Sequence, residues 1–152
     1  MMNALCRLIA YFTPPIRLAN ALQPLLLLGL RLFLASVFFK SGLTKIADWD
    51  TTLTLFTEEY HVPLLPPAVA AVMATCGELG LSSLLVAGLA GRFAATGLFI
   101  LNAVAVISYP GLTEITRSYH YYWGTELMAL MLFGPGLVSL DAWITHRCRT
   151  RR

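Results

Sequence analysis

The sequence predicts an all-α integral membrane protein, a four-helix bundle with a short cytoplasmic N-terminal amphipathic arm. Three observations carry that reading. Hydrophobic residues make up 57% of the 152 and charged residues only 12%, about half the charge of a soluble domain. Runs such as Leu25 to Leu30 lack the alternation of a barrel strand, and lipid admits only helices or closed barrels. Four apolar stretches each reach the ~20 residues that cross a hydrocarbon core.

Residues 1–23 form the arm. Leu5, Leu8, Ile9 and Phe12 give it an apolar face toward the membrane surface, and Pro14-Pro15 breaks it from the first span. No small-residue cleavage site follows a clean apolar core, so the segment does not read as a signal peptide. The membrane domain covers 24–141, with spans predicted at 24–45, 67–89, 92–109 and 121–140. Ala90-Gly91 makes the turn between the middle spans, Pro110-Gly111 stops the third, and Pro135-Gly136 interrupts the end of the fourth. Between the first two spans, 49–57 reads as a short interfacial helix on the outer surface, with Asp50 as N-cap. Residues 142–152 form a basic tail. With four spans, Arg7, Arg17, Arg92 and the C-terminal arginines share one side, which places both termini in the cytoplasm.

Charges inside the spans are the chief functional signal, since each costs more than ~2.5 kcal/mol at a helix centre unless paired or solvated. Counting residues from the outer surface puts Arg31 and Glu78 within roughly 5 Å of one level, and Lys40 or Lys45 level with Glu126 nearer the outside. At 100° per residue Arg31, Ala35, Gly42 and Lys45 share a face while Lys40 points away. Lys45 is therefore the better partner for the interior, and Lys40 snorkels. Gly77, Gly80, Ser82 and Ser83 around Glu78 permit close helix approach, and Asn102 adds an uncharged polar group in the third span. Such charges serve two roles equally well: fixing helix register, or building a ligand site.

The cluster Tyr119-His120-Tyr121-Tyr122-Trp123 sits at the predicted mouth of the fourth span. Tyr and Trp belong to the interfacial belt, but His120 titrates near neutrality and passes protons. His120 and Glu126 are the candidate catalytic residues, with Arg31, Lys45, Glu78, Asn102, Tyr122 and Trp123 as candidate ligand-binding residues. Together His120, Glu126 and the rings suit a quinone headgroup, which needs flat walls, hydrogen-bond donors and a proton route. Other chemistries find no motif. Cys6, Cys76 and Cys148 form no CxxC pair, with Cys76 read as a small packing residue. His61, His120 and His146 are too dispersed for metal or haem, and the basic tail lacks the aromatic interleaving of a nucleic-acid patch.

Arg31-Leu32-Phe33-Leu34 followed by Ser41-Gly42-Leu43-Thr44-Lys45 resembles the first-helix signature of the DoxX family. Glu78 with Gly80, the Gly88-Leu89-Ala90-Gly91-Arg92 turn, and Gly134-Pro135-Gly136 leading to Ser139-Leu140-Asp141 are similar to that family's later motifs. The resemblance covers about 24–141. It implies a four-helix bacterial inner-membrane protein related to a small terminal quinol oxidase subunit, with Arg31, Lys45, Glu78 and Asp141 as recurring polar positions.

The expected function is a membrane subunit for quinone- or quinol-linked redox chemistry. It lacks metal or flavin ligands of its own, and so is expected to act in the lipid bilayer with a redox or assembly partner; a homo-oligomer is a further arrangement open to it. The alternative is a non-catalytic scaffold or assembly subunit of an oxidoreductase or stress-response complex, with a small-solute or metal-handling transporter ranked last.

Overall fold

In a computed structural model, residues 2–150 are described, with side chains from Thr13 onward. Six helices and no strand occur among them: α1 (Met2–Ala47), α2 (Trp49–Glu58), α3 (Pro67–Ala87), α4 (Gly91–Ser108), α5 (Glu114–Phe133) and α6 (Leu140–Arg149). The chain is an all-α membrane protein. Among the described residues, three stretches are long and apolar enough to cross a bilayer: 13–47 in α1, all of α3 and all of α4.

The expected fourth span is displaced. α5 runs seven residues earlier than predicted and has 20 residues, but its first half is polar and it is not among the three most apolar stretches. The four long helices still close a ring, α1 against α3 and α5, α3 against α4, and α4 against α5. Inside lie Leu34, Ala35 and Phe38 of α1, Leu85 of α3, Ala94, Ala95 and Leu98 of α4, and Leu127 and Leu130 of α5. Outward-facing Leu25, Leu26, Phe33, Val72, Ile107 and Leu132 are exposed, as lipid contact requires.

Two further expectations change. The predicted break at Pro14-Pro15 is absent, because α1 is one helix containing Pro14, Pro15 and Pro24. Each proline removes one backbone bond, yet its φ near −65° is helical, and the bonds on either side hold the helix in register. The proposed apolar face of the arm, Leu5 to Phe12, lies outside the described side chains. Secondly, Asp48, not Asp50, caps α2, accepting from the Thr51 amide at 3.0 Å and its hydroxyl at 2.6 Å.

α2 packs against the first half of α3. Phe56 and Thr52 are buried, and Phe56 packs with Ala70 and Ala71 in the first half of α3. Gly42 of α1 faces Glu78 and Leu79 near the middle of α3, so α1, which ends five residues later at Ala47, stops short of the level of Pro67. The remaining height of α3, roughly 9 Å at helical rise, is covered by α2 and the loop after it.

Candidate functional site

Because Gly42 of α1 stands level with Glu78, Lys45, one turn further on, reaches back to it. Lys45 Nζ donates to both carboxylate oxygens of Glu78 at 2.8 Å and to Ser41 Oγ at 2.8 Å, while Ser41 Oγ donates to Glu78 Oε1 at 3.2 Å. Both charged side chains are largely enclosed, at 16% and 13% exposure. The depth count paired Glu78 with Arg31 and Lys45 with Glu126 by assuming that all helices start at one level; the inset of α1 removes that assumption.

Above the ion pair is a cavity of about 340 Å³ lined by Lys45, Phe56, Tyr60, Met73, Glu78, Ile100 and Leu101 among others. Tyr60 stacks on Phe56 and on Tyr109, each at 4.8 Å between ring centroids, and the loop is tied to α4 by His61 N–H donating to the Ser108 carbonyl. Burial, reinforced by the negative charge of Glu78, pushes the Tyr60 phenol up to about 12. Met73 and Ile100 line the cavity yet are 55% and 56% exposed on the lipid-facing surface. The cavity therefore adjoins the hydrocarbon between α3 and α4.

Arg31 belongs to a different cluster. It is buried and donates from Nη1 to the Pro135 carbonyl at 2.7 Å and from Nη2 to the Val86 carbonyl at 3.3 Å. Asp141 grips the same turn from the other side, accepting from the Ala90 and Gly91 amides at 2.8 Å each, while its own N–H donates to the Gly88 carbonyl. A main-chain carbonyl at a helix C-terminus is an unsatisfied acceptor, so Arg31 locks the α3–α4 turn to the 134–139 loop.

The quinone site first read at the aromatic cluster is not assembled. His120 and Glu126 are six residues apart on α5, roughly 9 Å along the axis and about 120° apart around it. His120 turns to α4, where Asn102 Nδ2 donates to its carbonyl at 2.9 Å and its Nδ1 donates to Asn102 Oδ1 at 2.7 Å. Both ends of the Asn102 amide are thus occupied by protein. Trp123 packs edge-on against Phe38 and His120, Tyr122 is exposed, and Glu126 Oε2 is buried with no hydrogen-bond partner among the described residues. Lys40 is exposed, as expected for snorkelling, but Cys76 is exposed on the outside of α3 rather than packed. Among the described residues no three His, Cys, Asp or Glu side chains converge.

Two pairings now account for the four polar positions that the first-helix, α3 and closing motifs supply: Lys45 with Glu78, and Arg31 beside Asp141. A family model described as DoxX matches residues 26–111. This chain belongs to the DoxX family. No curated protein and no solved structure matches it. The match takes in α2, α3, α4 and the part of α1 that carries Arg31 and Lys45, so the ion pair and its cavity lie wholly within the DoxX region, whereas α5, the 134–139 loop and Asp141 lie beyond it. Tyr60 and Ser41 were missed as site residues in this DoxX sequence. Ser41 stands four residues before Lys45, one turn away on the same face, which was the available signal; the stacking of Tyr60 on Tyr109 depends on how two loops meet.

Proposed function

We propose that this DoxX protein binds the headgroup of a quinone or quinol in the cavity above Lys45 and Glu78 and serves a partner subunit that carries the redox centre. The observation that supports this most is the position of the cavity: polar at its base, apolar on its walls, and bordered by lipid-facing Met73 and Ile100. A quinone divides the same way, with a polar ring and an apolar tail that stays in the bilayer. About 340 Å³ is within the size range of small-ligand sites.

The residues take separate roles. Glu78 accepts a proton from a quinol hydroxyl, and Lys45 holds the carboxylate in place and balances its charge. Tyr60 keeps its O–H across the physiological range, so it donates a hydrogen bond to a quinone carbonyl. The phenyl ring of Phe56 orders Tyr60 from behind. Oxidation of a quinol to a quinone releases two electrons and two protons: the electrons pass to the partner's redox centre, and Glu78 relays the two protons one after the other.

Quinone retained through purification in mild detergent tests the reading. Tyr60→Phe keeps the fold and removes only the donor, and it should lower retention; Glu78→Gln should lower it further. Unchanged retention in both variants rejects the site. The scaffold reading draws on a specific observation too, since Arg31 and Asp141 spend their bonding on main-chain groups. It predicts loss of complex formation in Arg31→Ala with quinone retention unaffected by Tyr60→Phe.

A further inference from the structure

A second cavity, about 820 Å³, lies toward the other end of the bundle, between α1, the start of α4, the 134–139 loop and α6. Its lining divides by chemistry. Arg92, His146 and Arg149 are basic, while Leu27, Phe93 and Phe133 are apolar.

The acid in this lining is already committed, because Asp141 accepts from the Ala90 and Gly91 amides. The bases are not. Arg92 gives one N–H to the Leu132 carbonyl at 3.2 Å, and neither it nor Arg149 joins an ion pair among the described residues, where the pairs are Lys45–Glu78 and Arg117–Glu114. α6 itself has no buried residue, so its inner side lacks a covering layer.

We infer that this cavity binds an anionic phospholipid, its phosphate held by Arg92 and Arg149 with His146 alongside. The guanidinium fork matches two phosphate oxygens, and basic pockets between transmembrane helices are suited to anionic headgroups. A free phosphate would use only the basic half of the lining. Phe93 and Phe133, 66% and 63% exposed, give the start of an acyl chain an apolar wall leading out to lipid. The bound lipid joins α6 to α4, which supplies the cover that α6 lacks.

The test is native mass spectrometry of the detergent-purified protein titrated with phosphatidylglycerol, with phosphatidylcholine of the same acyl chains, and with inorganic phosphate. Phosphatidylglycerol should bind in preference to the other two. Arg149→Gln should weaken it about fivefold, as for ~1 kcal/mol per surface cation, and Arg92→Gln by at least as much. The Arg149 side chain joins no ion pair among the described residues, so with the lipid stripped from both proteins its variant should unfold at the wild-type temperature, and only the stabilisation by added phosphatidylglycerol should fall. Arg147→Gln is the control: Arg147 lies over the Trp143 ring at 4.9 Å and does not line the cavity, so binding should be unchanged. Equal affinity for phosphatidylcholine overturns the proposal, as does an equal loss in the Arg147 and Arg149 variants. Inorganic phosphate binding as tightly as phosphatidylglycerol would reassign the site to a free anion and overturn the lipid.

Discussion

Arg31 occupies the space that any side chain at Gly88 would need. A Cβ at residue 88 would stand 2.6 Å from Arg31 Nη1 and 2.6 Å from Ser139 Cβ, and Gly88 has a φ of 65°. Glycine here satisfies two demands at once: a left-handed C-cap for α3 and room for the guanidinium that bonds the Val86 carbonyl. Gly88→Ala should destabilise the protein by about 2 kcal/mol or more, from the left-handed penalty and the displaced arginine. Ala90, two residues on, has φ 48° without being glycine; Ala90→Gly should gain about 0.5 kcal/mol or more. Opposite shifts in the thermal unfolding midpoint in detergent check the pair.

Lys45 and Glu78 should behave as one unit. Removing either charge leaves the other enclosed and unpaired, a loss of about 3 kcal/mol for a buried pair. The double variant Lys45→Met with Glu78→Leu should recover most of it. A double-mutant cycle on unfolding midpoints measures the coupling, and additive single losses would show that the two side chains act separately.

Asn102→Ala should cost about 1 kcal/mol, within the range for interhelical bonds in membranes. It deprives both the His120 ring and the His120 carbonyl of their partner. Once Asn102 is absent, His120→Ala should add less than it does in the wild type, which a second cycle would measure.

Tyr60 sets an alkaline limit on stability. Its phenol titrates at about 12 in the fold, against about 10 in an unfolded chain. A raised acid pKa means that the folded state holds the proton more firmly. The stabilisation is full below pH ~10 and fades as pH rises toward 12. Tyrosinate absorbance should show one late-titrating phenol, missing in Tyr60→Phe, and that variant should lose less stability over the same alkaline range.

Helix spacing and the polar motifs made much of the frame legible. The bounds of α3 and α4 fall within two residues of those expected, because Pro67, Gly88, Gly91 and the Pro110-Gly111 stop act locally. The position of α5 was not legible from hydropathy, since its first half is polar and only its packing on α4 makes it a continuous helix. The pairing of Lys45 with Glu78 was hidden for a related reason. Each residue was visible as an expensive charge, but their common level depends on α1 ending short of the start of α3, where α2 folds against Ala70 and Ala71. The His120–Asn102 clasp used residues already singled out, in a role that consumes their hydrogen bonds rather than offering them to a ligand.

The Lys45–Glu78 pair carries no net charge, so the potential across the membrane does no work on it as a unit. Any event that discharges one partner leaves a single charge partway through the electric field, where a full crossing is worth about 2.3 kcal/mol per 100 mV. Proton traffic at Glu78 would then be electrogenic, running faster or slower with the energised state of the membrane.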